Sequence, residues 1–398
     1  MCIRDRNITV LSADSGGDDI TDSNGILTLW SNRVGTNNPQ VIELTNASDI
    51  LLDGFAVTGS HSTITGGGLD ARVVNDLTVS NVTFTGNFAH SGSAVAIEFG
   101  QDISLINVKM NSNISSNGAT ANLNTIANLT LINVLAAGNQ PNRHEIDISA
   151  SNGVKLTNLS IVDNRMFNVV AQGLSIINST AEVENSIIRD NYSFFLGANK
   201  NLFHSGTGTT TVRNSVIEGS GQTGWDTTLN VIDGGGNIDV DPQFVNAVGS
   251  NAAPTVTGDY RLQATSPVSN AGNTAVYTST TAVMTDLDGN LRIAGTAIAI
   301  GAYEEVIPFA PVYTPSGANL LLSWADLGSL CHYNLYESTT PYNPPTSPTY
   351  SNLTSGNMVP DRIGGTANYF FKLQANCAGL AVNSAEVGVF NFSLTPGQ

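Results

Sequence analysis

Asparagine recurs in phase along the first half of this chain, and that recurrence restricts the fold more than any other feature. Aligning Leu77-Thr78-Val79-Ser80-Asn81-Val82 with Ile103-Ser104-Leu105-Ile106-Asn107-Val108 and Leu129-Thr130-Leu131-Ile132-Asn133-Val134 superposes three asparagines. Further copies carry Asn158, Asn185 and Asn214, with successive spacings of 25–29 residues. A second asparagine stands six positions after the first in five copies: Asn87, Asn113, Asn139, Asn164 and Asn191. Leu51-Leu52-Asp53-Gly54 is an earlier, weaker copy. A period of this length marks a solenoid.

The residues two before the first asparagine are all aliphatic: Val79, Leu105, Leu131, Leu156, Val183 and Val212. Their neighbours alternate with polar groups, which is the period of a strand with one buried face. Parallel stacking at about 4.8 Å puts like positions above one another. Aliphatic columns then fill an interior. Asparagine tolerates the left-handed backbone of a bend, and its amide can bond its equivalent in the next coil. The fold expected is all-β, a single-stranded right-handed parallel β-helix, followed by a small β-sandwich domain. Its coils run over 7–219, and both asparagine columns read as structural. A leucine-rich horseshoe needs a fuller leucine framework, and an antiparallel sandwich gives no reason for phased amides.

Only 15 basic residues face 32 acidic ones, a net charge of −17, which argues against nucleic acid as a partner. No apolar run approaches the roughly 20 residues of a membrane span. Met1-Cys2-Ile3-Arg4-Asp5-Arg6 looks like a translated sequencing-adapter end, so residues 1–6 are set aside and the native chain is expected to begin near Asn7 with its leader missing; a genuine short N-terminus is the alternative. Cys331 and Cys377 then remain, and an isolated pair in an exported chain favours a disulfide over a metal site.

Residues 220–305 contain Asp241-Pro242-Gln243-Phe244, Asp259-Tyr260-Arg261-Leu262, Ser266-Pro267, Ala271-Gly272-Asn273, Thr285-Asp286-Leu287-Asp288-Gly289-Asn290 and Ile300-Gly301-Ala302-Tyr303-Glu304. This order resembles the C-terminal part of bacterial right-handed β-helix surface proteins of the choice-of-anchor type, related in shape to pectate lyases. Thr9-Val10-Leu11-Ser12, with Asp14, Gly16, Gly17, Asp18 and Asp19, is similar to that family's first coil. The chain departs from the family at Ala299 and Ser269-Asn270, where the family commonly has acids. The resemblance implies an exported, surface-displayed rod. Prolines 308, 311 and 315 mark a linker over 306–315. Residues 316–398 hold short strands and Trp324, the size of one sandwich, and resemble a fibronectin type III-like module. Cys331 and Cys377 flank two of those strands, so a cross-strand disulfide is expected.

Counting back from each first asparagine gives two outward columns on the preceding strand: Asp70, Ala96, Asn122 and Asp147, and Arg72, Glu98, Asn124 and Ser149. Asp70, Arg72, Glu98, Asn122 and Asn124 are the candidate ligand-binding residues. Around His144-Glu145-Ile146-Asp147-Ile148, alternation puts Glu145 and Asp147 on the outer side, with Arg143 and His144 on the turn. Cα atoms two apart on a strand lie about 6.6 Å from each other, near the carboxylate separations of glycosidases. A lyase would instead need a cation and a basic residue, for which Arg143 and Arg72 are at hand. The plain reading is a solvated face with an Arg72–Glu98 ion pair. Asp286 and Asp288 share the Asp-x-Asp-Gly of a calcium loop without its downstream acid; Asp14, Asp18, Asp19 and Asp22 form a second acidic group, and calcium is the cofactor such turns would take. The expectation is an extracellular or cell-surface monomer without catalysis, either contacting polysaccharide or cell-surface glycan or serving as an adhesion or structural protein. The alternative is a polysaccharide lyase or glycoside hydrolase.

Overall fold

A computed structural model describes residues 8–220, 230–277, 285–292, 297–305, 311–327, 331–354, 356–363, 367–377 and 380–390. Residues 1–6 and the linker segment 306–310 lie outside the described residues. The chain divides into two compact units, one built from 5–292 and 297–305, the other chiefly from 306–398.

The larger unit is a parallel β-solenoid. Each coil carries three strand segments, and each segment pairs in register with its counterpart one coil away. Leu69–Ser80 lies between Ile42–Asp53 and Val95–Asn111, and the latter pairs onward with Ala121–Ala137. The pairing places Leu52, Val79, Leu105, Leu131, Leu156, Val183 and Val212 in one column. A second interior column runs Ala71, Ile97, Leu123, Ile148, Ile176. A third runs Val57, Phe84, Met110, Ala136, Ile161, Ile188, Ile217. All these side chains except Leu52 are buried, so a single apolar core extends through the stack.

Corners are made by left-handed residues. Asn81, Asn107, Asn133, Asn158, Asn185 and Asn214 all have φ between 47° and 55°, a conformation that costs most L-residues roughly 1–2 kcal/mol and asparagine less. Other left-handed positions also recur, including Val73, Phe99 and Thr125, whose side chains gave no signal of a bend.

The two asparagine columns differ in what they bond. The second is a continuous buried ladder: the Nδ2 groups of Asn87, Asn113, Asn139, Asn164 and Asn191 donate to the Oδ1 atoms of Asn113, Asn139, Asn164, Asn191 and Asn201 at 2.9–3.3 Å. Among the described residues the first is amide-to-amide from Asn107 to Asn81 and from Asn133 to Asn107, so the coil-to-coil bonding expected of it holds for part of the column. From Asn133 onward, a C-terminal strap of the same unit supplies the partners. Arg292 donates to Asn133 Oδ1, Asn158 Nδ2 donates to the carbonyls of Ala299 and Gly301, and Asn185 Nδ2 donates to the carbonyl of Asn273. Tyr277 Oη donates to Asn158 Oδ1 at 2.8 Å. After a partial rung at Ile232–Asp233, this segment packs Phe244, Tyr260, Val268, Ile300 and Tyr303 against Leu135, Val162, Ile187 and Val216 on the outside of the coils. The motifs from Asp241 to Glu304 therefore fasten a strap to the outside of the coils.

The smaller unit has a three-stranded antiparallel sheet (Val312–Ser316, Asn319–Ser323, Asn357–Val359) and a four-stranded one (Tyr350–Leu353, Cys331–Ser338, Tyr369–Cys377, Leu380–Val389), consistent with a small β-sandwich. Its first described strand is Val312–Ser316, in which Pro315 lies opposite Leu320 in an antiparallel pairing. Cys331 and Cys377 are directly opposed and bridged, with Cα atoms 4.0 Å apart. Leu320, Leu322, Tyr333, Leu335, Phe371 and Leu373 form the buried interior. Trp324 is half-buried, tilted against Tyr333 with ring centroids 5.5 Å apart.

Candidate functional site

The register places the two outward columns where the spacing put them: Glu43, Asp70, Ala96, Asn122, Asp147 and Ser175 in one, Thr45, Arg72, Glu98, Asn124 and Ser149 in the other. They are unequally exposed. The turn before each strand folds back over the first column. Glycine is required there: Gly66 has φ +82°, and a Cβ on it would lie 2.4 Å from the Asp70 Cβ. Asp70 is consequently buried, and Ala96 beneath Gly92 is too. Asn122 and Asp147 are half-buried.

Arg72 is the cation of this face, and it sits between two of its acids. Arg72 Nε donates to both carboxylate oxygens of Asp70, at 3.2 and 3.3 Å, and its Nη1 stands 3.9 Å from Glu98 Oε2. The Asp70 hydrogen bond, reinforced by the Asp70, Glu98 and Glu43 charges, holds the proton on Arg72 more firmly than usual. Asn124 accepts a hydrogen bond from Ser149 Oγ at 3.2 Å.

The four candidate catalytic residues do not converge. Glu145 is not on the outer side. It precedes the strand Ile146–Ser149 and is fully buried. Its Oε1 accepts from Asn139 Nδ2 at 2.8 Å and its Oε2 from Thr120 Oγ1 at 2.9 Å. Burial pushes its carboxyl up to about 8, against the pull of those two donors. Glu145 is thus a branch of the buried asparagine ladder. His144 is also buried, and burial with the nearby Arg143 charge holds it neutral, down to about 4; neither ring nitrogen has a hydrogen-bond partner among the described residues. Asp147 stays in the outer column, its acidity lowered by burial and partly restored by Ser175 and Arg143. Arg143 is exposed. Among the described residues no hydrogen bond or ion pair joins any two of the four.

A signal for Glu145 existed. The residues that precede this strand in the neighbouring coils are Gly68, Ala94, Thr120 and Gly173, all small. Alternation carried across a bend assigns the wrong side to a residue in that column.

The acidic turns are also distinct. Asp286 is buried, and its Oδ1 accepts from the amides of Asp288 and Asn290 while its Oδ2 accepts from Asn290 Nδ2 and the Glu304 amide. Asp288 points away to Lys109 Nζ at 3.2 Å. Asp286 and Asp288 therefore build a turn of the strap rather than a shared cation cage. Asp14, Asp18 and Asp19 bring ligand atoms within 4.8 Å of one another and are the group that could hold a divalent cation. Asp14 nonetheless already accepts from the amides of Gly16, Gly17 and Asp19. Asp22 caps its own turn by accepting from the amides of Asn24 and Ile26.

No helix among the described residues is long and apolar enough to cross a membrane. No family model and no curated protein matches the chain. Among solved structures it is similar to the crystal structure of pectate lyase Pel9A, at 13% identity and a TM-score of 0.24, over 68% of this chain and 89% of that one. At that score the likeness carries no argument about chemistry.

Proposed function

We propose that this chain is an extracellular or cell-surface solenoid that holds polysaccharide along its side without cleaving it. The observation that carries this reading is the separation of the two carboxylates: Glu145 is bonded into the interior ladder while Asp147 lies in the outer column. Paired acid–base chemistry needs both groups at one glycosidic bond. Beside Asp147, the face offers a row of neutral amides and hydroxyls at Asn122, Asn124 and Ser149, next to a cluster in which Arg72 pairs with Asp70 and stands 3.9 Å from Glu98. Repeated donors and acceptors of that kind suit sugar hydroxyls.

The disulfide supports an oxidising compartment. The resemblance of the strap motifs to surface proteins of the choice-of-anchor type supports display on a bacterial cell, with the fibronectin type III-like module as spacer. Affinity electrophoresis through gels containing neutral or acidic polysaccharide tests the reading. Migration should be retarded by at least one polysaccharide, and less so for Asn124→Ala. Unchanged migration in every gel would remove polysaccharide contact from the account.

A further inference from the structure

At one corner of the coil that carries Asp147 and Ser149, and of the coil after it, aromatic rings gather, and two of them face water. The short strands Arg165–Met166 and Tyr192–Ser193 pair in parallel, so the residues that follow them, Phe167 and Phe194, come one above the other. Their ring centroids are 5.4 Å apart. Phe195 stands edge-on to Phe194 at 5.9 Å. Phe194 and Phe195 are 48% and 65% exposed, and Val169, Val170 and Leu196 beside them are exposed as well. A contiguous apolar patch of this kind on a water-facing corner marks an interaction site.

The Arg165 guanidinium carbon lies 5.3 Å from the Phe167 ring centre and 5.2 Å from that of Phe194. Its Nε has no hydrogen-bond partner among the described residues. Neutral amides stand next to the rings, where Asn168 Nδ2 donates to Asn142 Oδ1 at 3.3 Å.

From these features the geometry points to a stacking platform for a neutral glycan chain built of flat, equatorially substituted pyranoses. Such a sugar offers a C–H face with slight positive charge, which an aromatic face with its negative quadrupole attracts. Its rim of hydroxyls meets guanidinium and amide groups that can donate and accept. Charge selects the occupant. At a net −17 the chain repels both a polyuronate and a second copy of itself, whereas a neutral glycan meets no such barrier. This inference rests on the polysaccharide-holding reading and places the strongest contact at Phe194 and Phe195.

The test is calorimetric titration of the full chain with cellohexaose and with a hexamer of galacturonate. Wild type should bind cellohexaose; Phe194→Ala and Phe195→Ala should each weaken binding up to about tenfold, and Phe195→Trp should retain it. The exposed positions of both rings make loss of folding small, and circular dichroism checks it. Equal affinity in wild type and both alanine variants would overturn the site while leaving polysaccharide contact intact. Preference for the uronate hexamer would overturn the ligand class. Self-association in sedimentation that disappears in the variants would overturn it in favour of a second copy. If wild type is held by no polysaccharide in the affinity gels, the underlying reading fails as well.

Discussion

Replacing Glu145 by glutamine should stabilise the solenoid at alkaline pH and leave it nearly unchanged at acid pH. The carboxyl is fully buried and bonded to Asn139 and Thr120, and its folded-state value is about 8 against an ordinary 4.5. A folded state that holds a proton more tightly than the unfolded chain is favoured below the unfolded value, and that advantage is lost as pH rises through the folded one. The window is therefore from about 4.5 to about 8. At roughly 1.4 kcal/mol per pH unit, the loss has an upper bound of roughly 5 kcal/mol, and relaxation around the charge reduces it to a few. Glutamine keeps both contacts, because its oxygen accepts from Asn139 and its amide donates to the Thr120 hydroxyl. Urea denaturation of both proteins at pH 5, 7 and 9, followed by circular dichroism, measures the difference. Repeating it with reductant shifts the disulfide-bridged unit and so identifies the solenoid's own transition. Glu145→Gln should gain on wild type by roughly 2–4 kcal/mol between pH 5 and pH 9. A difference independent of pH, or a variant several kcal/mol less stable at pH 5, would refute the argument.

Asn113→Ala strips the ladder of an amide that donates to Phe84 O, Asn111 O and Asn139 Oδ1 and accepts from Asn87; a loss of about 3–5 kcal/mol is expected in chemical denaturation. Reducing the Cys331–Cys377 bridge, which closes a separation of 46 residues, should cost the smaller unit up to about 4 kcal/mol in the chain-entropy picture, read as a lower melting temperature for that unit alone. Asp286→Asn should weaken the strap by about 1–3 kcal/mol equally in calcium and in chelator, since its oxygens accept N–H groups; a calcium-dependent difference in melting temperature would contradict that role.

The solenoid was legible in the sequence because one aliphatic residue and one asparagine recur in phase, and the register follows by counting: Arg72 does face Glu98, and Asn124 does face Ser149. Glu145 was misplaced because alternation holds only within a strand, and Glu145 sits before one. The course of the strap was not legible because its partners are remote in sequence: Arg292 reaches Asn133, and Gly301 reaches Asn158, across more than a hundred residues. The Phe167–Phe194 pair repeats at 27 residues, within the period of the coils, and that spacing was a usable signal. Its exposure was not, since nothing in the local pattern says which corner faces water.

Chain length of a bound polysaccharide before and after incubation tests the central claim most directly. Size-exclusion chromatography should return a retained glycan unshortened, with the protein still bound to it. Shortened products from wild type that vanish in Glu145→Gln or Asp147→Asn would instead establish a hydrolase or lyase, and the buried carboxyl would have to reach its substrate.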